Sequence, residues 1–124
     1  MLYSVNNICY IQKLIEQLCC SFLQVIAHET CHLFYMSHCV FFDCLMNHSC
    51  SVAEAMSQPL YLCPVCMRKL QKVLRFPSVA EYIRNLLRFL SRLVAADLAN
   101  QKLIDTVAWF EHCLAIIATK CVRD

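Results

Sequence analysis

Two histidines four residues apart place the strongest constraint on how this chain can fold. In a helix, His28 and His32 stand one above the other on the same face, and Glu29 lies beside the first. Two imidazoles on one face supply half of a tetrahedral zinc site, and the adjacent glutamate is placed to act as a base there. His38 follows six residues later, where an unbroken helix would carry it about 9 Å along the axis. The helix must therefore end soon after His32, and the chain must turn back, for three imidazoles to meet.

The order of these residues resembles that of the metzincin zinc peptidases, with one departure. Metzincins have glycine three residues after the second histidine, where the helix ends, whereas this chain has Tyr35. A residue with a side chain costs about 1–2 kcal/mol in the left-handed conformation that such a turn requires. Because a structural zinc ion contributes about 10 kcal/mol or more, Tyr35 does not prevent the site from closing. The sequence contains no glycine at all, so no neighbour can easily form the turn instead.

Four cysteines follow at spacings typical of metal sites. Cys39 and Cys44 are separated by four residues, Cys63 and Cys66 by two, and Met46 stands two residues after Cys44. Four thiolates in this pattern match a closed tetrahedral zinc site, although four buried reduced cysteines are the alternative. The complete set resembles the archaemetzincin family, and the segment 68–71 is similar to its animal members. The resemblance covers residues from about 20 to 90.

This resemblance implies a zinc metallopeptidase with a zincin-like α+β fold. The substrate would be a peptide or protein, hydrolysed by a zinc-activated water with Glu29 as general base. Two Zn²⁺ ions per chain are expected, one catalytic and one structural. The residues assigned by the resemblance are His28, His32 and His38 for the catalytic zinc, Cys39, Cys44, Cys63 and Cys66 for the structural zinc, and Met46 for the Met-turn.

The length of 124 residues predicts a single domain, and the resemblance implies that residues 1–124 form a partial metzincin-type catalytic domain. A net charge of +2 gives no reason to expect nucleic acid as a partner. The apolar run Leu18–Ala27 lacks the basic start of a signal peptide, and no uncharged apolar run reaches 18 residues, so neither secretion nor a membrane span is expected. Cysteine pairs with metal spacing indicate a reducing, intracellular compartment, cytoplasmic or nuclear.

Helical patterns dominate the chain. We predict an active-site helix over 8–35, a zinc-organised loop region over 36–67 and C-terminal helices over 68–124. Capping boxes at Ser51–Glu54 and Ser78–Glu81 predict helix starts, and further helices are expected over 66–74 and 103–121. Within the loop, Asp43 and His48 are interpreted as surface or turn residues, with His48 as a spare zinc ligand if His38 fails to turn in. The other seven cysteines are interpreted as small hydrophobic residues, including Cys31, which should face away from the metal.

The first helix carries more apolar residues than one packed face requires, so we expect it to be buried on several sides. Its main stripe comprises Ile8, Ile11, Ile15, Leu18, Phe22, Val25 and Ile26. In metzincins a mixed sheet precedes this helix and binds the substrate as an extra strand, but the 27 residues before His28 have a helical pattern. The upstream sheet is therefore expected to be missing. Apolar helix surface without a cover predicts self-association or low stability.

Three functions remain open at this point. The first is an archaemetzincin-type metallopeptidase. The second is a catalytically silent zinc-binding fragment that acts as a partner-binding or structural module. The third is a cysteine-zinc module with an empty histidine site.

Overall fold

The computed structural model describes the backbone of residues 2–98 and 101–121 and the side chains of residues 10–96 and 101–120. Within those ranges the chain is mostly helical, as the sequence predicts, and contains no strand, only a single bridge between Cys39 and Asn47. The helices are α1 (Leu2–Leu33), α2 (Val52–Ser57), α3 (Pro64–Leu74), α4 (Val79–Leu93), a π-helical segment (Val94–Leu98) and α5 (Gln101–Cys121).

The first helix begins earlier than expected and ends in a strained turn. Residues 2–7 are already helical, whereas the sequence predicts a helix that begins at residue 8. At the other end, the Met36 N–H donates to the Cys31 carbonyl over 3.2 Å and the Tyr35 N–H donates to that of His32 over 2.9 Å. This pair of bonds is a Schellman motif, whose turning residue takes a left-handed conformation. Tyr35 occupies that position with φ 60°, so the chain makes the turn after His32 without glycine.

Only one side of α1 is covered. Cys20, Gln24 and Cys31 are buried along that side. The opposite stripe, expected to be buried, is instead 47–66% exposed at every described position, namely Ile11, Ile15, Leu18, Phe22, Val25 and Ile26. The expectation of burial on several sides is therefore wrong, whereas the expectation of an uncovered apolar face is confirmed. Self-association through this face stays a prediction.

Two of the remaining helices, α2 and α4, begin at the capping residues that the sequence indicates. The Ser51 hydroxyl accepts the Glu54 N–H at the start of α2, and the Ser78 hydroxyl accepts the Glu81 N–H at the start of α4. The third helix begins two residues earlier than predicted, with Pro64 in its first turn and Cys63 as its N-cap. These starts fix where the second cysteine pair enters the core.

The core lies between the C-terminal half of α1, the loop that follows it and the helices α3, α4 and α5. Ile83 and Leu90 of α4 pack there with Leu103 and Phe110 of α5. Trp109 stacks on Tyr61 with ring centres 4.6 Å apart and so packs against the edge of this core. In the described chain no helix is long and apolar enough to cross a membrane.

Candidate metal centres

Three histidines from two segments converge at the end of α1. His28 and His32 lie one helical turn apart on α1, and His38 returns to them through the turn at Tyr35. One nitrogen from each imidazole lies within 4.8 Å of the others. The Nε2 atoms of His28 and His32 are 3.0 Å apart, close to the separation of about 3.3 Å that two nitrogens have around a tetrahedral zinc ion with bonds of about 2.0–2.1 Å.

The hydrogen bonds of the first two imidazoles determine which nitrogen faces the centre. His28 Nδ1 lies 2.8 Å from the Leu45 carbonyl, and His32 Nδ1 lies 2.7 Å from the Met36 carbonyl. Because a carbonyl only accepts, both Nδ1 atoms carry the proton, and both Nε2 atoms of the neutral rings present lone pairs. Two lone pairs facing each other repel unless a cation lies between them. The donor set therefore fits a metal ion, held by histidines oriented through backbone carbonyls.

The histidine group forms one wall of an open cavity of about 390 Å³. Glu29 lines this cavity beside the three imidazoles, and its side chain is exposed. Burial first, and then the neighbouring imidazoles of His32 and His28, lower the pKa of His38. A lowered pKa keeps the ring neutral, the form in which histidine binds metals. The arrangement thus combines three candidate ligands, a carboxylate and space for a substrate.

Four cysteines form a second group that differs from the first in its burial. Their sulfur atoms lie within 4.8 Å of one another, and no side chain in the group is more than 4% exposed. Cys39 Sγ and Cys63 Sγ are 3.7 Å apart, too far for a disulfide bond but close to the separation of about 3.75 Å around a zinc ion with Zn–S bonds of about 2.3 Å. The group therefore fits a closed tetrahedral metal centre.

Electrostatics also indicate that this group needs a cation. Burial raises the pKa of Cys44 to about 11, and burial followed by the charge of Cys44 raises the pKa of Cys66. At Cys39, burial is outweighed by backbone hydrogen bonds at Phe41 and Phe42 and by the neighbouring thiols, which lower its pKa to about 7. Four adjacent thiols cannot all ionise unless a positive charge compensates them, which a bound metal ion does.

Backbone hydrogen bonds around Met46 join the two groups. The Cys39 N–H donates to the Met46 carbonyl over 2.7 Å, so the residue after His38 is attached to the Met46 turn. The same turn presents the Leu45 carbonyl to His28, and the Met46 N–H lies 3.5 Å from Cys44 Sγ. Met46 itself is fully buried. The turn predicted around Met46 therefore contacts a ligand candidate of each group.

Other residues singled out in the sequence lie outside both groups. The ring of His48 is 4.9 Å from that of His38, and it lines the cavity without joining the three histidines. The spare ligand is not needed, because His38 does turn in. Asp43 is exposed and lines a neighbouring cavity. Cys31 is buried on the core side of α1, as expected.

Two polar residues that position the site were missed in the sequence. Gln24, buried one helical turn before His28, donates to the Ala55 carbonyl and accepts from Lys102 Nζ over 2.5 Å. Asn47 binds the loop through three hydrogen bonds, described below. A lone glutamine in the apolar run before His28 is the signal that would have identified Gln24. No comparable signal distinguishes Asn47 from an ordinary turn residue.

Comparison with curated proteins identifies relatives for half to two thirds of the chain. Human archaemetzincin-1 is 46% identical over 66 residues, which are 53% of this chain and 13% of that protein. Archaemetzincin-2 from Pongo abelii is 38% identical over 80 residues, 64% of this chain and 22% of that protein, and human archaemetzincin-2 is 36% identical over the same length. No protein-family model matches the chain, and no solved structure matches it.

The relatives and the two ligand groups suggest one class, the zinc metallopeptidases. Over the segment that matches, the chain is similar to the archaemetzincins. The match covers less than a quarter of the length of these relatives. The resemblance on which the ligand assignments rest is thus confirmed, while the metal-binding and catalytic roles of the individual residues stay predictions.

Proposed function

We propose that this chain forms the zinc-binding part of a metallopeptidase that hydrolyses peptide bonds. His28, His32 and His38 would hold the catalytic zinc, and Cys39, Cys44, Cys63 and Cys66 would hold a structural zinc. The observation that carries the proposal is the pair of Nε2 atoms 3.0 Å apart, with both Nδ1 atoms bound to backbone carbonyls. Orientation of this kind is what a metal-binding imidazole requires.

The position of Glu29 supports its role as the general base. Its side chain lines the cavity beside the three imidazoles and is exposed to solvent, so a water molecule and a peptide can both reach it. A zinc ion, when bound, supplies a Lewis acid that activates water and polarises the peptide carbonyl. The Glu29 carboxylate accepts a proton from the attacking water and then delivers it to the amine nitrogen as the C–N bond breaks.

The cysteine group would act by supporting the catalytic residues. Its burial excludes a substrate, and a zinc site with four protein ligands is closed, which is typical of structural zinc. A zincin-like fold, two Zn²⁺ ions per chain and an intracellular, reducing location belong to the same proposal, because four thiolates bind zinc only while they remain reduced.

The variant Glu29→Gln tests the proposal, with Glu111→Gln as the matched control. Glu111 is also exposed on a helix but lies on α5. We expect Glu29→Gln to retain two zinc ions per chain and to lose hydrolysis of a peptide library by about 10²–10⁴-fold, the usual contribution of a general base. Glu111→Gln should match the unchanged chain in zinc content, by elemental analysis, and in cleavage.

Three outcomes would overturn parts of the proposal. Hydrolysis that persists in Glu29→Gln would exclude Glu29 as the base. Two zinc ions without any hydrolysis by the unchanged chain would instead favour a catalytically silent zinc-binding module, and a single zinc ion would leave only the cysteine centre.

A further inference from the structure

The loop between the first two cysteines exposes three consecutive large apolar side chains. Val40, Phe41 and Phe42, which we call the loop tip, are 85%, 62% and 59% exposed. The cysteines on either side of the tip are buried, and Asn47 Nδ2 donates to the Phe42 carbonyl over 2.9 Å. The loop is thus attached at both ends, and its apolar side chains extend into solvent. Apolar surface of this kind is typical of an interaction site.

Basic side chains lie next to the loop tip. The third helix and its C-cap carry four exposed bases within about 120° of the helix circumference, here called the basic edge, and no acidic residue occurs between positions 68 and 80. Lys69 Nζ lies 5.9 Å from the centre of the Phe41 ring, so the edge and the tip adjoin. The members of the basic edge are Arg68, Lys69, Lys72 and Arg75.

Asp43, the acidic residue that directly follows the tip, is exposed. It lines a separate cavity together with Tyr61 and Lys102. The combined surface therefore presents apolar rings bordered by positive charge.

We propose that the loop tip and the basic edge dock together on an anionic lipid membrane. Aromatic side chains that insert at the boundary between headgroups and acyl chains contribute apolar burial, and each adjacent lysine or arginine adds about 1 kcal/mol of attraction to anionic headgroups. The tip is a projecting loop, so it matches a fluid interface that requires no complementary pocket.

Membrane docking of this kind requires no spanning helix and does not depend on peptide hydrolysis. It goes beyond the proposed function because it adds a location, the surface of an anionic membrane, at which the chain would act. The loop tip follows His38 and Cys39 directly in the chain. Docking would therefore hold the histidine cavity near the membrane surface.

Co-sedimentation with lipid vesicles tests the proposal. The zinc-loaded chain is mixed with vesicles of phosphatidylcholine alone or of phosphatidylcholine with phosphatidylserine. We expect binding to the mixed vesicles only, and weaker binding as the salt concentration rises from 0.15 M to 1 M, since the Debye length falls from about 8 Å to about 3 Å. The double variant Lys69→Gln with Lys72→Gln should bind about 30-fold more weakly, about five-fold for each lost charge.

The second test variant removes the apolar rings instead of the charge. Phe41→Ser with Phe42→Ser should weaken binding by more than about ten-fold, because two partly inserted rings are lost. Both positions are exposed, so zinc content and the far-UV circular dichroism spectrum should stay unchanged.

Two matched controls keep the proposal falsifiable. Arg84→Gln with Arg88→Gln removes the same charge from α4, and Phe22→Ser removes an exposed ring from the uncovered face of α1. Both should bind nearly as well as the unchanged chain. If the α4 variant lost as much vesicle binding as the Lys69 and Lys72 variant, net charge alone would explain the effect. If Phe22→Ser lost as much as the Phe41 and Phe42 variant, the membrane contact would lie on α1 instead. Absence of binding to mixed vesicles at 0.15 M salt, or equal binding to neutral vesicles, would overturn the proposal.

Discussion

The histidine centre and the cysteine centre are adjacent in the chain, since Cys39 follows His38, yet they differ completely in access. The four cysteines are 0–4% exposed, whereas His38 is exposed and the histidine group opens into a cavity of about 390 Å³. A closed set of four ligands suits a structural ion, and three ligands beside a cavity suit chemistry. The difference shows that one loop can contribute residues to both kinds of group, so that the closed group can support the open one.

The backbone of the Met46 turn connects the cysteine group to the histidine group. This turn accepts the Cys39 N–H and holds His28 through the Leu45 carbonyl. In contrast, no hydrogen bond in the described part of the chain joins one of the three histidines to Cys63 or Cys66. Dependence between the centres should therefore run in one direction, from cysteine to histidine.

The largest effect is expected for Cys63→Ala, which tests whether the histidine centre depends on the cysteine centre. Loss of a structural zinc ion removes about 10 kcal/mol, comparable to the whole stability of a typical domain, about 5–15 kcal/mol. We expect both zinc ions to be lost, measured as zinc per chain by elemental analysis.

Two further variants serve as comparisons for Cys63→Ala. His32→Gln should lose only one zinc ion and retain the helical circular dichroism spectrum. Cys113→Ala, half-buried outside both groups, should retain two. If Cys63→Ala kept a fully occupied histidine centre, the dependence of that centre on the cysteines would be refuted.

An intermediate effect is expected from Asn47→Ala. The Asn47 side chain accepts the Cys44 N–H over 2.8 Å and donates to the carbonyls of Cys39 and Phe42 over 3.0 and 2.9 Å. Removal of these bonds leaves part-buried backbone groups unpaired, so the free energy of unfolding should fall by about 1–3 kcal/mol in urea denaturation. Zinc affinity should fall at both centres.

The control for Asn47→Ala is Asn85→Ala. Asn85 also accepts a hydrogen bond, from Arg88, but on the exposed side of α4. Its replacement should change the stability by less than about 0.5 kcal/mol. Equal effects of the two variants would mean that the loop does not depend on Asn47.

The smallest effect is expected at the turn between α1 and His38, where Tyr35 lies. Tyr35 and Arg75 are the two described residues with positive φ, 60° and 56°. Glycine relieves this strain but increases the entropy of the unfolded chain, so Tyr35→Gly should raise the free energy of unfolding by about 1 kcal/mol. Arg75→Gly, at the end of α3, should stabilise to a similar extent. Only Tyr35→Gly should also raise zinc affinity at the histidine centre, measured by competition with a chelator. A loss of affinity in Tyr35→Gly would show that the tyrosine side chain supports the site.

Local signals in the sequence were sufficient for many features of this fold. The capping boxes at Ser51 and Ser78 identified two helix starts, and ligand spacing singled out the seven residues that the structure brings into two groups. The turn at Tyr35 followed from geometry, because His38 cannot reach His32 along a straight helix. These features depend on residues close together in the chain.

Features set by distant contacts were not predictable. An apolar stripe indicates a face that can be buried, but whether another element covers it depends on the rest of the fold. The exposure of Phe22 therefore differed from expectation. Lys102 likewise joins α5 to Gln24 across 78 residues, a contact that no local pattern indicates.

The one-sided burial of α1 has a consequence for how the molecule opens. Between residues 10 and 19 no side chain is buried, and burial begins only at Cys20. A helical segment of that length that buries no side chain is marginal in water. Unwinding of residues 10–19 should therefore cost little and stop where Cys20 and Gln24 meet the body of the protein. The histidines lie beyond that point, so their end of the helix can stay ordered when this segment opens.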